Sequence, residues 1–442
     1  MAITYRRFLP RKRMGSVNAC VHDIVSHAYE KVPFYRNAFN KAGINPSKIY
    51  GVRDLSLLPI ISRVDLMAGG PSYFLRQGAN PDKLIVKHTT GTSGNPTIVY
   101  MNLMEQTFRH LTFLDSLRRN VHLKLPLTLV DFGPERKDSA TQIFRQIGPF
   151  KIVRIFRNLP MEQQIKILTS IKPTILGGRP SMFWELALVL KEQGIRPSRP
   201  ALIRTGAEML FDHVRFLLQD VFNCKVVDYY NCEEAGNLAW ECPENQNLMH
   251  PNTANVWIEI VDQQDKPVST GGEGRIVITN LYNYTMPFIR YPLGDRGVFL
   301  DIGKCSCGYN GPIMRLTEGR DENFIVLPDG KEITPRHIFD IVNTSFPYDK
   351  PGWNLIDCIR IFQIIQEADD LILIKVIPGP AYTESFWPNV QNNLRKLHPA
   401  IRLQIELVDD LSPAPGKKFH QVLGKLSSRW KTEREKYGID TD

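Results

Sequence analysis

The stretch HTTGTSGNPTIVY, His88 to Tyr100, follows the short apolar run KLIVK, which reads as a strand. It packs Thr89, Thr90, Thr92 and Ser93 with Gly91 and Gly94 around one bend. Glycine lets a backbone approach a ligand closely, and a tight bend exposes successive N–H groups. Those N–H groups and the hydroxyls are donors suited to phosphate oxygens. No lysine follows where a Gly-x-x-x-x-Gly-Lys-Ser/Thr loop requires one. Read alone, the segment is equally a polar turn between two strands.

The surrounding chain argues for a ligand. From about residue 125, strand and helix patterns alternate: LTLVDFG and FKIVRIF as strands, MEQQIKILTSI as a helix, PTILGG as a strand. Pro180 then opens the helix SMFWELALVLKEQG, and ALIRTGAE, DHVRFLLQDVF and KVVDYY continue the series. Such alternation predicts a mostly parallel sheet with helices on its faces. Ligands of such sheets bind at the carboxyl ends of strands. Two adjacent strands end there in RTGAE and DYYNCEEAG, each carrying a carboxylate suited to a nucleotide and its magnesium. FIRYPLGD sets Asp295 after another strand, where it can accept both hydroxyls of a ribose. Beyond Tyr230 the pattern becomes strands without helices. Beyond EGRDENFIVLPDGKEI it becomes a compact helix–hairpin–helix–strand unit.

Length and composition bound the answer. A chain of 442 residues, 43% hydrophobic and 23% charged, predicts a globular protein of two or more domains. No apolar run is long enough to span a bilayer, and the basic start has no apolar stretch behind it, so a cytoplasmic location is expected. The net charge of +9, from 55 Lys+Arg against 46 Asp+Glu, is dispersed, and no nucleic-acid-binding signature accompanies it. The expectation is therefore no nucleic acid and no membrane. Seven cysteines in such a chain do not suggest disulfides.

Together and in this order, these segments resemble the adenylate-forming superfamily, in the branch of phenylacetate–CoA ligase and its capsule-biosynthesis relatives, the CapK-like proteins. The resemblance runs almost end to end. EKVPFYRNAFNKAGINPSKI, DLSLLPIISRVDL and MEQQIKILTSIKPTILGGRPSMF ahead of TGAE are similar to that branch, as is Thr97 where many relatives have lysine. YNCEE stands for the Tyr-Gly-x-Ser/Thr-Glu motif, RYPLGD for Arg-Tyr-Arg-Thr-Gly-Asp, EGRDENFI for the hinge, and SPAPGKKF for the C-terminal loop ending in Gly-Lys.

The resemblance implies an α/β fold. A large N-terminal adenylation domain, 1–319, would combine mostly parallel sheets, helices and a β-rich subdomain. A small α+β C-terminal lid, 320–442, would move against it. Thr89, Thr90, Gly91, Thr92, Ser93 and Gly94 would cradle the ATP phosphates. Gly206, Ala207 and Glu208 would border the adenine, Tyr230 would pack on the purine, and Asp295 and Arg320 would hold the ribose. Glu234 would hold Mg2+, and Lys417 would reach the carboxylate and the α-phosphate. The implied reaction converts a carboxylic acid, by default aryl or arylacetic, to an acyl-adenylate and passes the acyl group to coenzyme A. Two rivals stay open. One is an adenylating ligase with an amine or other acceptor, as in capsule or natural-product assembly; the other is a non-catalytic nucleotide-binding protein. A homodimer also stays open.

The departures are informative. Asn231 replaces the motif's glycine, and Glu233 replaces Ser/Thr, so Glu233 and Glu234 can exchange roles. DFGPERKDSATQIF, Asp131 to Phe144, is charged where relatives are glycine- and aromatic-rich along the acyl pocket. A surface loop and a polar substrate explain that equally. Lastly, Cys242 and His250 lie in ECPENQNLMH, and Cys305 and Cys307 lie in KCSCGYNG. Three thiolates and an imidazole complete a closed tetrahedral Zn2+ site, though neither spacing matches a zinc finger. Free cysteines in two turns is the competing reading.

Overall fold

A computed structural model of the chain describes residues 16–61, 65, 69–88, 97–133, 142–147, 149–318, 324–346, 358–411 and 419–424. Two helices come first, α1 (Val17–Lys31) and α2 (Pro33–Lys41), as the apolar spacing of residues 16 to 45 predicts. They bury Val21, Ile24, Val25, Ala28, Tyr35 and Phe39 against the β-rich part of the chain. Strands β1 (Ile85–His88) and β2 (Ile98–Met101), which flank the Thr/Gly-rich stretch in sequence, pair antiparallel.

Helix α3 (Leu103–Asn120) starts on a reciprocal cap. Asn102 Oδ1 accepts from Glu105 N at 2.9 Å, and the Glu105 carboxylate accepts from Asn102 N at 2.8 Å. The other Glu105 oxygen accepts from Tyr284 N and Thr285 N, both at 3.0 Å, which ties the helix entry to a distant loop.

The alternating region then gives β3 (Leu127–Gly133), β4 (Gln142–Ile147), β5 (Phe150–Phe156), α4 (Met161–Ser170), β6 (Ile175–Gly178), α5 (Pro180–Glu192), β7 (Leu202–Gly206), α6 (Asp212–Phe222) and β8 (Lys225–Cys232). The strand-only region gives β9 (Gly236–Glu241), β10 (Met249–Pro251), β11 (Val256–Val261), β12 (Glu273–Asn280), β13 (Tyr291–Leu300) and β14 (Ile313–Glu318).

The β-rich part that the resemblance implies within the N-terminal domain continues the same twelve-stranded sheet as the parallel strands, ordered β11-β12-β13-β14-β10-β9-β8-β7-β6-β3-β5-β4. The reason is local. Gly236, at φ +76°, lets the chain turn back so that β9 pairs antiparallel with β8, and the antiparallel strands add onto that edge. The edge strand β4, antiparallel to β5, starts at the end of the charged stretch and has no clear sequence signature.

The C-terminal unit carries a short hairpin, β15 (Ile325–Val326) with β16 (Glu332–Ile333), then α7 (Pro335–Thr344). It closes with β17 (Ile359–Ala368), β18 (Leu371–Pro378), α8 (Trp387–Arg395), β19 (Arg402–Leu407) and β20 (Val422–Leu423), whose sheet order is β19-β18-β17-β20. This matches the helix–hairpin–helix–strand reading. The unit packs through α7 onto α5 and α6. Phe339 meets Phe211 with ring centroids 3.9 Å apart and His213 at 5.4 Å, and Arg336 reaches Asp212 at 3.6 Å. Domain limits at residues 319 and 320 fall on residues outside those described.

Candidate active site

The carboxyl ends of β7 and β8 bring the expected nucleotide residues together. Gly206 closes β7 where a Cβ would lie 2.7 Å from the Tyr229 carbonyl oxygen, so only glycine fits against β8. Ala207 follows in the left-handed region at φ 68°, a strained position for a residue with a Cβ. Glu208 Oε2 accepts from Ser181 N at 3.1 Å at the start of α5, and Arg179 lies 3.8 Å from Oε1. Glu208 therefore caps a helix N-terminus, where a negative charge is favoured. The Tyr230 hydroxyl donates to Asp295 Oδ2 at 2.6 Å, so the purine-packing and ribose-holding candidates meet across 65 residues of sequence.

The two adjacent glutamates separate in role. Arg109 on α3, one turn after Glu105, donates to Glu233 Oε2 at 2.9 Å and to the Glu233 carbonyl at 2.8 Å. Burial depresses the Arg109 pKa, but neighbouring Tyr282 and Glu233 outweigh it and hold the guanidinium above its usual value. Glu234 is 7% exposed, and its carbonyl accepts from Asn280 Nδ2 at 2.9 Å. Thr89, Thr90, Gly91, Thr92, Ser93, Gly94, Arg320 and Lys417 lie outside the described residues. The flanks of two of these segments are described. His88 ends β1, immediately before the Thr/Gly-rich stretch in sequence. Asp410 and Glu208 both raise the pKa of Glu185, after burial and against the Arg157 guanidinium that lowers it. The chain entering the Gly-Lys loop thus runs electrostatically close to Glu185, on α5, whose start Glu208 caps.

The metal candidates converge. Cys242, His250, Cys305 and Cys307 place one ligand atom each within 4.8 Å of one another. Cys242 Sγ lies 3.4 Å from Cys305 Sγ, and Cys307 Sγ lies 3.2 Å from His250 Nε2. A tetrahedron with Zn–S bonds of about 2.3 Å sets its sulfurs roughly 3.7 Å apart, which this spacing fits. Glu244 N points to Cys242 Sγ at 3.4 Å, and Asn245 Nδ2 reaches both Cys242 Sγ at 3.7 Å and Cys305 Sγ at 3.8 Å. Burial, aided by Arg119, pulls the His250 pKa down to about 4, so the imidazole is the neutral ligand form at pH 7. All seven cysteines are unpaired by disulfides, as composition predicts.

Sequence reasoning misses Arg109, Arg179 and Arg204. Arg204 opens RTGAE and Arg179 lies in ILGGRPSMF, but neither is singled out there, Arg109 stands in no motif, and each acquires its place only through long-range packing. No helix among the described residues is long and apolar enough to cross a membrane.

No family model matches the sequence. Among curated proteins, the phenylacetate-coenzyme A ligase of Thermus thermophilus is 24% identical over 369 residues, covering 82% of this chain and 81% of that protein. Protein CapK of Staphylococcus aureus is 24% identical over 271 residues, covering 59% of this chain and 58% of its own. Among solved structures, a 2-hydroxyisobutyryl-CoA ligase in the postadenylation state, bound to R3-HIB-AMP, superposes with a TM-score of 0.74 at 18% identity, over 96% of this chain and 91% of that one. The same ligase with 2-HIB-AMP and CoA in the thioesterification state superposes at 0.59, over 98% and 94%. At that identity the likeness is one of fold.

Proposed function

We propose, from the chain's place in the adenylate-forming superfamily beside the phenylacetate-coenzyme A ligases and CapK, that it activates a carboxylic acid with ATP and transfers the acyl group to coenzyme A. The single observation that carries this reading is the Tyr230–Asp295 contact beside Gly206, Ala207 and Glu208. The contact lies at the carboxyl ends of adjacent strands, where ligands of such sheets bind. A carboxylate oxygen attacks the α-phosphorus, pyrophosphate leaves, and the coenzyme A thiolate then attacks the acyl carbon and expels AMP.

The residues divide this work. The Thr89–Gly94 bend holds the β- and γ-phosphates through N–H groups and hydroxyls. Asp295 and Arg320 hold the ribose. Lys417 offsets the charge where carboxylate meets phosphate, the interaction that dominates phosphoryl-centre catalysis. Glu234 would hold Mg2+, which would supply positive charge against the phosphates. The Arg109–Glu233 ion pair supports Glu234 over Glu233 as the metal-holding residue.

Cys242, His250, Cys305 and Cys307 would hold a structural Zn2+, joining the end of β9 and β10 to the turn before β14. Its four donors leave no open position for catalysis. Two units, 1–319 and 320–442, form the cleft, with the C-terminal unit as a mobile lid.

The test is product analysis with ATP, a panel of acids, and coenzyme A present or omitted. AMP and pyrophosphate, with thioester only when coenzyme A is present, support the reading. ADP and phosphate contradict it. Thioester-free turnover with an amine identifies the other acceptor.

A further inference from the structure

Four parallel strands meet in one register row near their carboxyl ends. Asp131 on β3 is the Cα partner of Arg154 on β5 and of Gly177 on β6, and Gly177 is the partner of Arg204 on β7. Register partners in a parallel ladder project to the same face. That face is covered by α3, because Phe113 packs with Leu129, Ile175 and Leu202 one row deeper. Asp131 pairs with Arg204 and also lies 3.9 Å from Arg154. Gly177 makes this possible, since a Cβ there would overlap both Asp131 and Arg204. Phe113 supports the Arg204 guanidinium from the helix side, with the cation 5.0 Å from the ring centroid.

Further basic groups come from β1 and α3. Lys87 on β1 is half-buried and His110 on α3 is exposed, and partial desolvation depresses both pKa values. Arg109 and Arg154 push each further down, so these four groups share one electrostatic neighbourhood. Four basic side chains, Lys87, Arg109, Arg154 and Arg204, share this neighbourhood with two carboxylates, Asp131 and Glu233, among the described residues. The difference, four minus two, leaves two positive charges uncompensated.

This space is where an acyl group would extend. Gly206 and Gly133 stand two residues past Arg204 and Asp131 on the same face, and neither brings a side chain into the opening. Arg204 therefore sits about 6–7 Å below the strand end that borders the nucleotide. A pocket for an unsubstituted apolar acid would be lined by apolar side chains. Here its floor carries two guanidiniums with 20% and 50% of their side chains accessible. Each keeps N–H donors beyond those Asp131 uses, in a planar geometry suited to a carboxylate.

We infer that the acid activated here carries a second acidic group, held by Arg204 and Arg154 on the floor of the acyl pocket, with Asp131 fixing the two guanidiniums. The inference rests on the adenylation reading and names its substrate class. The second group sits on an aliphatic chain or on an aromatic ring, and both leave the α-carboxylate free to react.

The test uses full-length protein and acid-dependent ATP–pyrophosphate exchange. Matched pairs are compared: straight-chain mono- and dicarboxylic acids of equal length, and an arylacetic acid with and without a ring carboxylate. The acid with the second carboxylate should show a KM about tenfold or more below its partner's. Arg154→Gln and Arg204→Gln should each narrow that gap, without a matching rise in the KM for ATP. Should Arg204→Gln fail to fold, the half-exposed Arg154 carries the test alone. Equal KM values within each pair would overturn the inference. So would variants that raise the KM for ATP instead, because the cluster would then serve the phosphates. No exchange with any acid would overturn the adenylation reading itself.

Discussion

Glu233 and Glu234 are interchangeable in the sequence and distinct in the structure. What separates them is Arg109, which stands 124 positions away and fixes Glu233 from α3. No local pattern announces such a partner. The Asn102–Glu105 cap does read locally, and it sets the helix phase that brings Arg109 there one turn later. The zinc candidates show the opposite case. Their residue types are legible, but their spacing matches no finger because β9, β10 and the turn before β14 bring them together. Metal analysis of chelator-free preparations should find about one zinc per chain on that four-ligand reading. Cys305→Ser should lower both zinc content and melting temperature, since binding to a closed site is coupled to folding. A metal-free protein of unchanged stability would remove the site.

At the scale of elements, two buried polar groups govern how α6 sits. Arg215 on α6 donates to both oxygens of Glu241 on β9, at 2.9 and 2.7 Å, and to the Val226 carbonyl at 2.8 Å. Both side chains are almost wholly buried. Arg215→Ala leaves Glu241 charged and uncompensated beside the buried Asp228, and should cost about 3–5 kcal/mol in chemical denaturation. A loss near zero would mean that water or a neighbour replaces the guanidinium.

His213 lies on the outer side of the same helix. Its ring meets Trp184 at 4.7 Å and Phe339 at 5.4 Å, between the large sheet's helices and α7. Desolvation at this packed position drives its pKa down to about 3. The sign follows from linkage. Above about pH 6.5 the ring is neutral in both states and its titration contributes nothing. Below that, the unfolded chain takes a proton that the folded chain refuses until about pH 3, so stability falls by about 1.4 kcal/mol per pH unit in that window. His213→Phe should flatten the acid limb of the stability–pH curve between those values. An unchanged slope would place the ring in water. The helices themselves are legible from apolar spacing. The pairing of α6 with α7 is not, because DHVRFLLQDVF alone does not say which element covers Phe211 and His213.

At the scale of the whole molecule, the alternating and strand-only halves are both readable, while their fusion into one sheet is not. Periodicity specifies strands, but strand order is set by which edges are left to pair. The C-terminal unit raises a geometric conflict. On the proposed reading, adenylation requires Lys417 against the α-phosphate, and thioester formation requires that same approach to be open to a thiol. The proposed rotation about the 318–324 connection would resolve it, and lids that close over labile intermediates work in this way. Lys417→Ala should then abolish most adenylation, leave the melting temperature close to the parent's, and still turn preformed acyl-adenylate over to thioester. Loss of both half-reactions together would tie Lys417 to the second step and remove the reason for rotation.

The most direct test of the central claim follows one atom. If the acid's carboxylate attacks the α-phosphorus, one carboxylate oxygen must leave on AMP when the thioester forms. Reaction with the acid labelled with heavy oxygen in its carboxylate, with coenzyme A present, should yield AMP carrying a single heavy oxygen by mass spectrometry. Unlabelled AMP, or label found in inorganic phosphate, would contradict the account.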